Sequence, residues 1–439
     1  MKRRGIAAFA ALVLAAASVA AGCGGSGKSS SSSSSAASTG PSGHVSITLW
    51  HGYTDAEQKA INTLASEFNA THKNITVTPH FYGNSDFALQ KVLTAIAGGK
   101  PPDLAYLYGS WAANIAKSPK TVDLSQFINR DKATFNWNDF WPAEREAATV
   151  NGKVVGFPAL VDNLALVYNK KMFADAGLSP PTPDWTWSDF ENAALKLTNP
   201  AQKKFGWAYV ADGSEDTVWR YWALLWQAGG QILSPDGKKA AFDSPAGVKA
   251  MSLIQRLAQA KAIYNDNGNQ NYLGLFASNH IGMLFTGPWD LTQIQDGGAA
   301  YGVQILPGDQ NHQTISGPDN WVMFDNGDAR KQASWEFLKW LSSPEIDLKW
   351  DILTGALPVR AATLKQPDYR QFLDKYPGVG VWADNLKNAT QVRPVIASYP
   401  KISSAVGESV VSVLLGKAQP QQALSSASQK TNSILAVPG

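Results

Sequence analysis

Between Val45 and Tyr108 the chain alternates strand, helix, strand, helix, strand, and this alternation restricts its possible folds more than any other feature. Val45 to Trp50 alternates like a strand and runs into His51-Gly52-Tyr53-Thr54-Asp55. Ala56 to Asn69 then sets Ala60, Ile61, Leu64, Ala65 and Phe68 at helical spacing, with Thr54 or Asp55 as the cap. Ile75 to Tyr82 reads as a second strand and Phe87 to Ala97 as a second amphipathic helix, stopped by Gly98-Gly99 and Pro101-Pro102. Asp103 to Tyr108 is a third strand. Such alternation predicts a mostly parallel sheet covered on both faces. Ligands in these sheets sit beyond the carboxyl ends of the strands, which puts His51–Asp55, Asn84–Asp86 and Tyr108–Trp111 on one rim.

The rest of the chain is richer in helix. Helical patterns cover 187–197, 215–227, 245–260, 332–342, 402–415 and 421–435, with short strand-like pieces at 164–168, 281–285, 303–306 and 321–324. A length of 439 residues favours two lobes over one core. Beyond the N-terminus no run of eighteen apolar residues offers a membrane span. The single cysteine, Cys23, excludes a disulfide framework or thiolate metal cluster within the chain, and no metal or cofactor motif is present.

The N-terminus carries Lys2, Arg3 and Arg4, an apolar run from Ile6 to Ala21, and then Gly22-Cys23, the pattern of an export signal. Ala21-Gly22-Cys23 resembles a bacterial lipoprotein signal, with Ala20 in place of the usual leucine. The resemblance implies lipidation of Cys23 after cleavage; a plain secretory signal is the alternative. Of 38 basic and 35 acidic residues, removing those three cations leaves 35 of each, which gives no electrostatic reason to bind nucleic acid. Residues 24–43, with seven consecutive serines from Ser29, form a tether with an rms reach of roughly 25 Å. Gly22 to Ser29 matches the phosphate-loop spacing G-x-x-x-x-G-K-S, but a signal precedes it and polyserine follows, so no strand or helix can frame a phosphate there.

The order of short motifs in the body is similar to that of the extracellular solute-binding proteins of bacterial ABC importers, in the carbohydrate-binding family that includes maltose-binding protein. The resemblance rests on Gly98–Leu104, Gly152–Pro158, Leu166–Lys170, Phe173–Leu178, Gly282–Trp289, Phe337–Leu341 and Leu357–Arg360. It implies a two-lobed α/β fold of the type II periplasmic binding kind, with hinge-connected lobes and a central cleft. The N-terminal lobe is expected at 44–160 plus 304–325 and the C-terminal lobe at 164–302 plus 328–439, with crossings near 161–163, 303 and 326. It further implies a monomer on the outer face of the cell membrane, anchored through Cys23, that passes a carbohydrate to an ABC permease, and the sixteen tryptophans favour an oligosaccharide. No cofactor or catalysis is implied.

Trp289, at the Gly287-Pro288-Trp289 turn after a strand-like segment, matches the family's sugar-stacking tryptophan; a core tryptophan is the alternative. Trp219 matches a cleft aromatic, while Trp222 and Trp226, one turn apart, read as core. Asp162, six residues before Tyr168, lies where the maltose-binding relative carries a sugar-binding glutamate, and Asn163 is its neighbouring alternative. Charged acceptors bind hydroxyls about twice as strongly as neutral ones. Tyr108, Ser110, Trp111, Tyr53 and Asp86 are the first lobe's candidates, joined by Asn320 of the Gly317–Trp321 segment and Arg393 from the last lobe segment. Glycerol-3-phosphate binders of the family carry tyrosine, glutamate and tyrosine where this chain has Ser85, Gly109 and Ala356, which argues against a glycerophosphate ligand, although Arg393 would suit one. The rival classes are a secreted carbohydrate-active enzyme and a surface lipoprotein with no ligand.

Overall fold

A computed structural model describes residues 43–437. Cys23, the signal and most of the tether, with the phosphate-loop look-alike, lie outside the described residues. The strands are β1 (Val45–His51), β2 (Ile75–Phe81), β3 (Leu104–Tyr108), a short hairpin β4 (Thr149–Val150) and β5 (Lys153–Val154), then β6 (Phe157–Leu160), β7 (Ala165–Asn169), β8 (Phe205–Val210), β9 (Ile263–Asp266), β10 (Ile281–Thr286), β11 (Tyr301–Gln304) and β12 (Asp319–Met323). They form two five-stranded sheets, ordered β2-β1-β3-β12-β6 and β11-β7-β10-β8-β9. Each sheet is the base of one lobe.

In the first lobe β1 runs parallel to β2 in register from Val45 opposite Ile75 to His51 opposite Phe81. The Asp55–Thr71 helix buries Ala60, Ile61, Leu64, Ala65 and Phe68, the five residues its periodicity selects. Each large apolar side chain so buried contributes roughly 1.5–3 kcal/mol. The expected mostly parallel sheet is corrected to a mixed one. β12 is antiparallel to β3 and β6, and β7 is antiparallel to β10 and β11. β12 and β7 enter their sheets across the hinge rather than through a helical crossover, so nothing forces them parallel.

The expected division of the chain also needs correction. β11 belongs to the second sheet, and Leu306 and Ile315 are buried in the second lobe's core. The chain therefore re-enters the first lobe near 316–319 rather than at 303. Helices Asp328–Leu341 and Pro344–Thr354, expected in the second lobe, pack on β1 and the Asp55–Thr71 helix. Their aromatic residues decide this: Trp335 lies 5.5 Å from Phe127 and 5.2 Å from Phe135, and Phe337 lies 5.1 Å from Phe68. The chain returns to the second lobe by Val379–Asn385, which packs on β7 and β11, and ends in Tyr399–Leu414 and Pro420–Leu435 over Pro245–Gln259. Bridges pair Val161 with Leu357 and Asn163 with Ser316, so three crossing segments lie side by side. Among the described residues no helix is long and apolar enough to cross a membrane.

Candidate functional site: an acid-lined cleft between the sheets

The carboxyl ends of β1, β3, β8, β9 and β10 converge on one cavity of about 250 Å³. Its first-lobe wall comes from the β1 turn (Tyr53 to Asp55, with Glu57), the helix start Asn84–Asp86, and Tyr106 and Tyr108 of β3. Its second-lobe wall comes from Asp212–Asp216 after β8, Asp266–Gln270 after β9, and Trp219 and Trp289. Asp162 and Asp319, beside the crossings, form its floor. Asp55 and Gln270 hold left-handed backbone, with φ of 49° and 56°, an uncommon state for non-glycine residues that gathers at functional sites.

Local sequence fixes the two indoles. After β10, Pro288 starts a short turn in which buried Asp290 accepts hydrogen bonds from Thr286 Oγ1 at 2.5 Å and Tyr272 Oη at 2.7 Å. This anchors the turn and lays the Trp289 ring against Gly287, where a Cβ would stand 1.9 Å from the ring. Trp219 lies on the Glu215–Gln227 helix, which Ser214 caps by accepting from the Asp216 amide at 3.2 Å. The two rings are 5.8 Å apart at 46°, and Trp219 Nε1 has no partner. Behind Trp219 the Arg393 guanidinium sits 4.8 Å from the ring centroid and pairs with Glu215 at 2.9 Å. Burial alone would lower the Arg393 pKa, but Glu215, Tyr399 and Asp319 together more than offset it, so the arginine stays charged. Glu215 also accepts from Tyr399 and Ser403. A Cβ at Gly317 would stand 2.2 Å from Trp219 and 2.7 Å from Asp162 Oδ1, so only glycine lets this crossing lie so close to the second lobe.

The opposite wall is polar. Asn84 caps the Ser85–Ala97 helix, accepting from the Phe87 amide at 3.0 Å, and so sets Asp86 at the cavity. Tyr106 donates to Asp319 Oδ2 at 2.5 Å, while Asp319 Oδ1, Asp162 Oδ1 and Tyr53 Oη are buried without a partner. Burial, and then neighbouring carboxylates, push Glu57 up to about 8 and Asp86 up to about 7. Asp319 is raised to about 7 by burial, against the pull of Arg393. Asp162 is raised by burial and by Asp319. These carboxyls stay partly protonated near neutrality, and a protonated carboxyl can both donate and accept hydrogen bonds.

The structure thus brings Tyr53, Asp86, Tyr108, Asp162, Trp219 and Trp289 to one cavity. Five other expected contacts lie off it and are corrected. Trp111 is 1% exposed, packed among Leu89, Val92 and Ile115, because the turn after β3 folds it back under the sheet. Ser110 is buried with it and faces a separate small cavity that Arg393 also lines. Asn163 donates to the Trp382 carbonyl at 2.8 Å and accepts from Asn385 at 2.9 Å, so it ties crossings together. Asn320 points to the far face of its strand, donating to the Ala147 carbonyl at 3.3 Å and resting on Gly156. Arg393 braces Trp219 and Tyr108 from behind and does not line the cavity. Trp222 and Trp226 are core, as expected. The residues missed are chiefly Asp212, Asp216, Asp266 and Gln270. They lie at or beyond the ends of β8 and β9, which show no strand periodicity; the apolar run Phe205–Val210 before Asp-Gly-Ser is the signal that points to them.

The family described as bacterial extracellular solute-binding protein matches residues 63–377. An sn-glycerol-3-phosphate-binding periplasmic protein of Pectobacterium atrosepticum is 25% identical over 423 residues, spanning 91% of this chain and 93% of its own. Among solved structures, an ABC transporter solute-binding protein from Thermotoga lettingae bound with alpha-D-tagatose is 28% identical at a TM-score of 0.79, covering 89% of this chain and 100% of its own. An ABC substrate-binding protein of Listeria monocytogenes in complex with cycloalternan is 26% identical at a TM-score of 0.81, covering 90% of this chain and 100% of its own. The fold of these proteins is the two-lobed one seen here.

Proposed function

This chain belongs to the bacterial extracellular solute-binding proteins, and on that premise we propose that it captures a carbohydrate for an ABC importer. The observation that carries the reading is the pairing of two indoles, Trp219 and Trp289, with unpartnered polar oxygens across one cavity. A pyranose has an apolar face that stacks on an indole and an equatorial belt of hydroxyls that seeks strong acceptors. Trp289 is the stacking platform, Trp219 its braced neighbour, and Asp162, Asp86, Tyr53 and Tyr108 are hydroxyl partners. The cavity's volume suits one to two sugar rings. Ligand touching both walls shifts a hinge equilibrium toward the closed form, with bending at 161–163, 316–318 and 355–360, and the permease reads that form.

In the same reading, residues 1–22 are a signal, Cys23 carries the lipid, and residues 24–43 tether the monomeric receptor to the outer face of the membrane. The glycerophosphate reading, which the Pectobacterium relative's name raises, is the weaker one. Among the described residues no lysine or arginine lines the cavity, and both helix N-termini that could hold a phosphate already carry carboxylates, Asp86 and Asp216. Isothermal calorimetry with a panel of mono- and oligosaccharides, coupled to product analysis, tests the proposal. It expects stoichiometric binding with the sugar recovered unchanged; turnover would replace the importer reading with an enzyme, and glycerol-3-phosphate binding above every sugar would replace the ligand.

A further inference from the structure

The cleft carries more carboxyl groups than a neutral sugar needs. Asp55, Glu57 and Asp86 face it from the first lobe, Asp162 and Asp319 from the floor, and Asp212, Asp216 and Asp266 from the second lobe. No cationic side chain lines the cavity among the described residues; of the two arginines behind the wall, Arg220 pairs with Asp216, and Arg393 pairs with Glu215 while also drawing on Asp162 and Asp319. The carboxylates are also spread out. Among the described residues no three His, Cys, Asp or Glu side chains converge as a metal site. A compact divalent ion therefore does not fit, whereas a cation distributed along an organic ligand does.

Three of these carboxylates have an oxygen still waiting for a partner. Asp162 is 5% exposed and Asp319 2% exposed; both residues line the cavity, and the Oδ1 of each is buried without a partner. Asp266 accepts from the Gly268 and Gln270 amides through Oδ2, at 2.9 and 3.1 Å, which leaves its Oδ1 free. A buried polar atom without a partner calls for an explanation, and beside a cavity a ligand atom can supply one. An ammonium offers three donors with a charge, and its approach draws these raised carboxyls into their ionised, accepting form. The open indole of Trp289 adds a surface on which a cation can also rest.

We infer that the ligand is an amino sugar, a polyol bearing a protonated amine that pairs with Asp162 and Asp319 while a ring stacks on Trp289. This rests on the carbohydrate reading and narrows it. Calorimetry at pH 6.5 with matched pairs tests it: glucosamine against glucose, galactosamine against galactose, and the chitosan disaccharide against cellobiose. Within the pair that binds best, the amino member should bind at least tenfold tighter, and Asp319→Asn or Asp162→Asn, each checked for folding by circular dichroism, should reduce that preference to threefold or less. Equal or tighter binding by the neutral member overturns the amine and leaves the carbohydrate reading standing. Binding by no member of any pair removes both. A preference that survives both substitutions also overturns the pairing proposed.

Discussion

The two walls of the cleft are built on different principles. On the first lobe, the ring of Tyr53 lies 4.1 Å from Tyr106 and 5.1 Å from Trp350, so its face is consumed by core stacking and only its hydroxyl is left for the cavity. On the second lobe, Trp289 is half-buried on a turn and Trp219 is held from behind by Arg393, so ring surface itself is what the cavity meets. The first wall offers only polar groups, whereas the second adds ring surface to its carboxylates Asp212, Asp216 and Asp266. A receptor built this way recognises a ligand only when both walls close on it, which couples capture to lobe motion.

The largest effect should come from the stacking wall. Trp289→Ala is expected to weaken sugar binding by about 30-fold, the size of an interface hot spot, with an unchanged circular dichroism spectrum. Calorimetry showing unaltered affinity would break the comparison. Gly317→Ala attacks the junction of the walls. Its methyl would push on Trp219 and Asp162, and the overpacking should cost about tenfold in affinity, read by the same titration. Tyr53→Phe removes only a hydroxyl from the polar wall, so about a fivefold loss is expected, with thermal stability kept.

The polar wall also makes a prediction without ligand. Glu57, Asp86 and Asp319 have values raised from 4.5, 3.8 and 3.8 to about 8, about 7 and about 7. The folded chain therefore binds more protons than the unfolded chain across that window. Their contribution to stability is complete below about pH 4 and is lost as pH rises through 7 to 8. The ligand-free protein should melt several degrees lower at pH 8 than at pH 5, and Glu57→Gln should flatten that difference. A melting temperature that climbs from pH 5 to pH 8 would mean these carboxyls ionise freely. The smallest effect is expected from Ser110→Ala, which alters a residue off the cavity and should leave affinity within about twofold.

How far the sequence carried is clearest at the strands. The alternation through Tyr108 located the first lobe's rim, because an amphipathic helix such as Asp55–Thr71 announces its buried face by spacing alone. In the second lobe β8 and β9 are short and almost wholly apolar or irregular, so neither period shows, and the acidic loops behind them went unread. Trp219 and Trp289 were legible through the motif order, whereas Trp111 and Asn320 were misplaced because a motif fixes a position in the chain but not the side of the strand. A one-residue difference in direction sends a side chain to the opposite face. The lobe assignment of Asp328–Thr354 failed for a related reason: an amphipathic helix shows that it will be buried without showing against what.

Capture depends on a sugar being gripped between an indole platform and a row of buried oxygens. A crystal structure of the protein grown with its best-binding saccharide tests it most directly. The expected result is a pyranose ring parallel to Trp289, with a donor group of the ligand within about 3.2 Å of Asp162 or Asp319. Density for that saccharide lying elsewhere, or touching one lobe only, would contradict it.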